Sequence, residues 1–345
     1  MDFTFTDEQR MFSETARTLL ADSCEPAALR ELAAAGSPRD AARWASIVET
    51  GLTLVLLPEV VGGLGLTETD FALIAEAAGY HALPEPLVES AGVAAPMLAA
   101  VHPTAEVLLH PSATIAIQHP VNPFVADADT ASALLLHHDG EMHLVDPSAV
   151  TLTRQESIDS FRRLFRVDWA PSKATSISSD GALWGQALDR GALFAAAQGL
   201  GLAQRAVDLA VAYAKDRTQF GKPIGSYQAV KHHLASAQVK IEFARPVLQA
   251  AAAELHEHDV HSRARISHAK LTALEAADFA CRTAVQVHGA MGYSWEVDVH
   301  LFLKRTLALT YAWGEPGFHR ARVAQRVFRR PTGPDQTFAR EHLDA

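Results

Sequence analysis

The stretch RTQFGKPIGSYQ, residues 217–228, decides how this chain is interpreted, because it separates two long helical patterns by a loop of distinctive composition. Two cations, Arg217 and Lys222, stand in it beside an aromatic, Phe220, and two glycines. A guanidinium can grip a phosphate through paired hydrogen bonds, and glycine lets a backbone approach it closely. On loop chemistry alone, a solvated loop with an incidental basic pair is the stronger interpretation, since short motifs often match by chance.

A second glycine-containing stretch, AVQVHGAMGYSWE at residues 284–296, ends another helical pattern. Gly289 and Gly292 can serve simply as a helix C-cap followed by a turn. The same glycines can also shape a backbone loop that lies against a flat or charged ligand. Alone, this stretch does not decide between the two interpretations.

Helical patterns surround both stretches. Four long Ala- and Leu-rich segments predict a C-terminal four-helix bundle over residues 177–345, with a polar surface tail at its end. Pro246 falls inside the second segment and is expected to kink that helix.

The preceding residues divide into two further regions. Residues 1–111 predict an N-terminal helical domain, in which Thr6 and Gln9 match a capping box. Residues 112–176 contain short runs rich in Val, Ile, Leu and Thr, with Asp139-Gly140 as a hairpin signal. They predict a reduced middle β domain, an antiparallel unit of five or six strands. The expected fold class is therefore α+β, mainly α.

Composition excludes several classes of protein. The 345 residues carry a net charge of -10, whereas nucleic-acid binders need a basic face. The apolar runs are broken by Pro, Glu and Gly before they could span a bilayer, and the polar N-terminus does not resemble a signal peptide. Cys24 and Cys281 are far apart and have no metal-like spacing, so a reduced, cytoplasmic protein is expected.

A histidine-containing segment, HEHDVHSRARISH, invites a metal interpretation through His256, His258, His261 and His268. It lacks cysteines and lacks a helical His pair at i and i+4 with a Glu. No metal site is expected.

Taken together, RTQFGKPIGSYQ and QVHGAMGY (286–293) closely resemble the C-terminal domain of the acyl-CoA dehydrogenases. LLPEVVGGLGL, residues 56–66, resembles the N-terminal helical domain of that family. The order of helices, small β unit and four-helix bundle is also that of the family, so the resemblance covers nearly the whole chain.

The resemblance implies an FAD site shared between subunits. In the family, the first motif reaches across a dimer to the pyrophosphate and neighbouring parts of an FAD held mainly by the other subunit. The matching residues here are Arg217, Phe220 and Gln228. The second motif lies along the adenosine half of FAD and matches Gln286, His288, Gly289 and Ala290, the last where the family usually has Gly.

The middle region departs from the family pattern. Family members hold the flavin ring with a loop like Thr-Glu-Pro followed by Gly-Ser-Asp, and with a Trp-Ile-Thr strand. The corresponding stretch here, IQHPVNPFVADADTASALL (117–135), has no Gly-Ser-Asp and no Trp. The departure implies that this chain does not hold an isoalloxazine ring by itself.

The catalytic base is also missing from the matched positions. Family enzymes remove the α-proton of an acyl-CoA with a carboxylate that must touch the α-carbon. One family position for it matches Trp313, within LTYAWGEPGFHR (309–320), and the other matches Gly191; neither residue can take a proton. Glu315, two positions along, is the remaining candidate for a relocated base, although acids at helix ends are usually solvated.

These features predict a subunit that completes the FAD site of a homologous catalytic partner, as in the α2β2 acyl-CoA dehydrogenases of bacterial steroid side-chain catabolism, whose short subunits it resembles. The reaction implied is α,β-dehydrogenation of an acyl-CoA, with electron-transfer flavoprotein or a similar acceptor. Two alternatives stay open: a self-sufficient homomeric enzyme that uses Glu315, and a scaffold or regulatory subunit without cofactor.

Overall fold

The computed structural model describes residues 4–36 and 39–329. The expected polar tail lies outside the described residues from position 330 onward. Within them, an α-helical region, a small β region and a second α-helical region follow one another, so the predicted mainly α, α+β fold is confirmed. The three domain boundaries stay a prediction.

Six helices form the first region. Thr6 caps the first with the predicted capping box, because its hydroxyl accepts the Gln9 N–H while the Gln9 side chain accepts the Thr6 N–H. A π-helical turn, Ser90–Ala94, joins the last two into one helical segment. The helices are α1 (Asp7–Ser23), α2 (Pro26–Ala34), α3 (Ala41–Glu49), α4 (Glu68–Tyr80), α5 (Leu87–Glu89) and α6 (Ala95–Val101).

The middle region contains seven strands in two sheets. They are β1 (Ile115–Ile117), β2 (Phe124–Ala126), β3 (Ala133–His138), β4 (Glu141–Val145), β5 (Thr151–Gln155), β6 (Leu164–Asp168) and β7 (Ser176–Ser178). One sheet has the order β1-β3-β4-β7 and the other β2-β6-β5. The predicted hairpin is confirmed, since Asp139 and Gly140, both with positive φ, connect β3 to β4.

The prediction of a single antiparallel unit of five or six strands was wrong. β1 and β3 pair in parallel, with Ile115 opposite Ala133. Parallel neighbours need a long crossover connection, and here the chain makes it by passing through the second sheet as β2. β2 and β7 each have only three residues, too few to give a strand pattern in the sequence.

The C-terminal region holds the four predicted helices of the bundle and one more. They are α7 (Ala182–Asp216), α8 (Gln228–Ala253), α9 (Val260–His288), α10 (Val299–Tyr311) and α11 (Pro316–Arg329). α8 continues through Pro246. Between α7 and α8 lies a two-residue hairpin of β8 (Thr218–Gln219) and β9 (Lys222–Pro223). The sequence interpretation missed α11, which begins with a proline at its first turn.

α7 is the central element of the core. Its buried residues run from Leu183 to Ala214, and the apolar ones as far as Ala210 pack in one hydrophobic cluster with residues of the N-terminal helices. At Gly201 a Cβ atom would lie 1.9 Å from the Glu76 carbonyl oxygen of α4, so the two helices cross at a separation only glycine allows. This contact sets α7 in place, and with it both candidate regions described next.

Candidate functional site

The loop after α7 projects its aromatic residue into solvent. Phe220 (φ +51) and Gly221 (φ +78) form the turn between β8 and β9, and Phe220 is 93% exposed. The Arg217 N–H donates to the Tyr213 carbonyl at 2.8 Å, and the Ile224 N–H donates to the Arg217 carbonyl at 2.8 Å. These backbone bonds fix the loop on the end of α7 and leave the side chains at its tip free to contact another molecule.

Arg217 is exposed, and within the described part of the chain its guanidinium has no hydrogen-bond or ion-pair partner. Lys222, the other cation of the loop, lies 4.3 Å from the centroid of the Tyr227 ring. Gln228 is the exposed first residue of α8. Arg217 is thus the cation of this loop whose donors remain available for a phosphate.

The structure brings the second motif to the first through an aromatic stack. α9 ends at His288, whose ring stacks on Tyr213 of α7 with centroids 4.2 Å apart. The His288 Nδ1–H donates to the Ala284 carbonyl at 2.8 Å, and burial lowers the pKa of this histidine. The His288 side chain therefore makes its contacts within the protein and does not face solvent. Of the four residues of the second motif that match cofactor contacts of the family, Gln286, Gly289 and Ala290 face solvent and His288 does not.

The two positions matched to the catalytic base lie against each other. Trp313 is only 2% exposed, and its indole fills the space that Gly191 leaves on α7. A Cβ atom at position 191 would lie 2.1 Å from Cδ2 of the indole, well inside van der Waals contact. Neither position has a free volume in which a carboxylate could meet a substrate.

The indole also stacks on His119, a residue of the stretch 117–135 that lacks the Gly-Ser-Asp pattern of the family. The His119 ring stacks on Trp313 with centroids 4.0 Å apart and an interplanar angle of 29°. His119 Nε2 lies 3.4 Å from the Glu89 carboxylate, and burial lowers the pKa of His119. A cavity of about 60 Å³ lies next to Glu89 and also borders Arg162 and Arg305. Pockets for drug-sized ligands measure about 300–1,000 Å³, so this cavity is too small for a flavin ring.

Three backbone carbonyls of the Trp313 loop accept hydrogen bonds from Lys270 of α9 and His319 of α11. Lys270 Nζ donates to the carbonyls of Ala312 and, at 2.5 Å, Gly314. His319 Nε2–H donates to the Trp313 carbonyl at 2.9 Å, while His319 Nδ1 accepts from the Ser267 hydroxyl at 3.0 Å. The sequence interpretation did not single out either donor. For Lys270, the sequence did contain a signal, since a charged residue stands among the apolar positions of the buried face of α9.

Both donors have pKa values far from their usual range. Burial, and then the Arg162 guanidinium, lower the pKa of Lys270 to about 7. Burial, and then the Lys270 ammonium, lower the pKa of His319 to about 3, so its imidazole is neutral near pH 7.

Glu315 lies on the exposed side of the same loop. Its side chain faces solvent, its backbone carbonyl accepts the His319 N–H at 3.2 Å, and its carboxylate has no ion pair within the described residues. The buried Trp313 ring and the exposed Glu315 side chain therefore lie in different environments.

Gly191, one of the two positions matched to the base, and the Arg217 loop are far apart along α7. Gly191 and Arg217 are separated by 217 - 191 = 26 residues, almost all helical, which at about 1.5 Å per residue gives about 39 Å. The ribityl chain that joins a flavin ring to its pyrophosphate is far shorter than this. Arg217 therefore cannot reach a cofactor whose ring lies beside Gly191 of the same chain.

A wider groove lies outside the Trp313 loop. Its volume is about 760 Å³, and it runs between α8, α9, α10 and α11 from Gln286 to Lys270 and His319.

In the residues that the structure describes, no group of three or more His, Cys, Asp or Glu side chains is arranged to hold a metal ion. His261, one of the histidines considered for a metal, accepts from Arg326 Nε at 2.9 Å. None of the described helices combines the length and apolar composition needed to cross a membrane.

Comparison with known proteins identifies similar sequences over most of the chain. The model of the acyl-CoA dehydrogenase C-terminal domain matches residues 182–328, and that of the N-terminal domain matches residues 6–103. The acyl-CoA dehydrogenase IpdE2 of Mycolicibacterium smegmatis is 31% identical over 326 residues, which are 94% of this chain and 100% of that protein.

Solved structures share the fold. The ChsE4–ChsE5 complex of Mycobacterium tuberculosis contains a chain with a TM-score of 0.86 and 22% identity, covering 96% of this chain and 100% of that one. A variant of the Tcur3481–Tcur3483 steroid ACAD gives a TM-score of 0.84 at 23% identity, covering 92% and 97% of the two chains.

Proposed function

Because the chain belongs to the acyl-CoA dehydrogenase family, we propose that it is a subunit that completes the FAD site of a catalytic partner subunit. The enzyme would be a heteromer, with an α2β2 composition, that carries out α,β-dehydrogenation of an acyl-CoA thioester. The observation that carries the proposal is the contrast between the two ends of the Gly191–Arg217 segment. At one end an indole fills the space beside Gly191, whereas at the other the exposed Arg217 guanidinium has no partner among the described residues.

The exposed residues fit the outer part of an FAD molecule. The Arg217 guanidinium would hold the pyrophosphate through charge-assisted hydrogen bonds, and Phe220 would pack against the cofactor from the tip of the hairpin. Gln228 would contact the cofactor beside them. Along the adenosine half, the contacts would come from Gln286 and from the backbone at Gly289 and Ala290. FAD itself would supply the acceptor for the hydride that leaves the β-carbon of the substrate.

The partner would supply what this chain lacks. It would hold the flavin ring and provide the carboxylate that removes the α-proton, since Trp313 and Gly191 offer none. The solved structures named as pairs, ChsE4–ChsE5 and Tcur3481–Tcur3483, support a heteromer. The description of the second as a steroid ACAD supports a steroid side-chain thioester as the substrate. Electron-transfer flavoprotein or a similar protein would accept the electrons, and the complex would work in the cytoplasm.

The decisive experiment compares the isolated chain with the complex formed by co-expression with the product of the neighbouring reading frame. Flavin is quantified by absorbance after gel filtration. We expect little FAD with the isolated chain and FAD in the complex, which the Arg217→Ala variant of this chain should retain less well. Stoichiometric FAD on the isolated chain would instead favour a homomeric enzyme. If the Arg217→Ala complex had the same FAD content and affinity as the parent complex, a scaffold role would be favoured.

A further inference from the structure

We propose that Lys270 and His319 are positioning residues that hold Trp313 in the base position and thereby keep the site of this chain closed. The inference rests on the proposed function only in taking position 313 as a base position. It concerns how the chain closes its own site, which neither the loss of the carboxylate nor the sharing of FAD explains.

The first observation is the conformation of the loop. Trp313 has φ +56° and Gly314 has φ +99°, both in the left-handed region. A bulky aromatic residue is a rare outlier there, and such a conformation persists only where surrounding contacts impose it. Here the contacts are visible, because the carbonyls of residues 312, 313 and 314 all accept hydrogen bonds from Lys270 or His319.

The second observation is that Lys270 has no other evident use. It is 2% exposed, and within the described residues its hydrogen bonds are the two to the loop carbonyls. A buried amine normally pairs with a carboxylate, since its charge is otherwise poorly compensated. The nearby charged group is instead the cation Arg162. The hydrogen bonds that Lys270 donates to the carbonyls of Ala312 and Gly314 are the best explanation for a lysine in this setting.

The third observation is that α9 orients both donors, although Lys270 lies on α9 and His319 on α11. Ser267 lies one helical turn before Lys270, and its hydroxyl donates to His319 Nδ1, which leaves the proton of His319 on Nε2 toward the Trp313 carbonyl. The helix thus fixes both the amine and the imidazole tautomer. With the backbone held in this way, the indole is directed between Gly191 and His119.

The test measures how accessible Trp313 is to acrylamide in the folded, isolated full-length chain. The Trp313 signal is the difference between each protein and its Trp313→Phe counterpart, which cancels the other four tryptophans. Lys270→Met removes the donors while keeping an unbranched side chain, and His319→Phe removes the second donor while keeping a ring. Lys240→Met is the matched control, because Lys240 also borders the outer groove but lies over the Phe279 ring, 5.3 Å from its centroid.

We expect the quenching constant of Trp313 to rise several-fold in Lys270→Met and less in His319→Phe, and to stay unchanged in Lys240→Met. If Lys270→Met does not fold, His319→Phe decides the question alone. Variants that lose thermal stability while their Trp313 stays as protected as in the parent chain would overturn the proposal, because the donors would then be ordinary core residues. Since no FAD or partner enters this measurement, its failure is distinct from a failure of the proposed function.

Discussion

Replacing Gly191 by alanine tests whether the indole of Trp313 occupies the base position. The new methyl group would meet the indole at 2.1, 2.4 and 2.5 Å from three ring carbons. Ordinary contacts begin near 3.4 Å, so the ring or the helix must move by more than 1 Å. The ring contacts both Gly191 of α7 and the His119 ring, and it is only 2% exposed, so such a shift must displace neighbouring core residues.

Overpacking of this kind destabilises a folded protein by about 1–3 kcal/mol, and sometimes by more. Trp313→Ala alone leaves a cavity and should destabilise the protein by about 3–5 kcal/mol. In the double variant, the methyl group enters the space that the indole left. The two substitutions should therefore be coupled by about 1–3 kcal/mol, with the double variant more stable than the sum of the single effects predicts.

The measurement is a double-mutant cycle by urea unfolding of the isolated chain, followed by circular dichroism. Gly185→Ala on the same helix is the control, because its methyl group would lie 3.7 Å from the nearest atom, a nitrogen of Arg263. That substitution should stabilise the helix by about 0.5–1 kcal/mol. If the changes in the free energy of unfolding at positions 191 and 313 were strictly additive, the indole would not lie against Gly191. The interpretation that the indole closes the site would then be wrong.

Three further outcomes are expected. In the heteromer, Arg217→Ala should weaken FAD binding about ten- to a hundredfold, the equivalent of about 1.5–3 kcal/mol, whereas Lys222→Ala should change the FAD dissociation constant little. Glu315→Gln should leave turnover within a few fold, since loss of a true general base lowers it by about 10²–10⁴-fold, and a collapse at unchanged FAD content would identify Glu315 as the base. The pKa of Lys270 is about 7 in the folded protein, against a usual value of 10.5. Between pH 7 and pH 10.5 the lysine therefore takes up a proton when the protein unfolds, so the free energy of unfolding falls as the pH decreases from 10.5 toward 7. Between pH 7 and 9.5 the parent chain should gain about 3 kcal/mol relative to Lys270→Met in urea unfolding, and parallel pH profiles would show that Lys270 is not buried as described.

Much of the fold could be predicted because its signals are local. The Thr6 capping box and the Asp139-Gly140 hairpin depend on residues within a few positions of each other, and both are present in the structure. The parallel pairing of β1 with β3 depends instead on the path of the chain through a second sheet, which no local pattern records. The position of α11 was missed because its sequence is polar and only His319 and Arg326 are buried.

The candidate site divides in the same way. Motif spacing drew attention to Arg217, Phe220 and Gln228, and all three are exposed in the structure, two on the loop after α7 and Gln228 at the start of α8. Alignment also marked positions 191 and 313, but it could not show that a missing side chain at one makes room for the indole at the other. Such a contact joins residues 122 positions apart (313 - 191 = 122), so it depends on tertiary packing alone. The Lys270 and His319 contacts are hidden for the same reason.

The contact between Gly191 and Trp313 also predicts that one added acid would not make the isolated chain an active dehydrogenase. A carboxylate at position 191 cannot be built while the indole occupies the space of its Cβ atom. Trp313→Glu would open that space, but the stretch that corresponds to the flavin loop would still lack Gly-Ser-Asp, and its His119 would still lie against Glu89. We therefore expect Trp313→Glu to bind no flavin as an isolated chain and to leave turnover of the heteromer within a few fold, as judged by absorbance and by an acyl-CoA dehydrogenase assay. If the isolated variant became yellow and oxidised an acyl-CoA, the missing carboxylate alone would account for the loss, and the stack of Trp313 on His119 would have no part in closing the site.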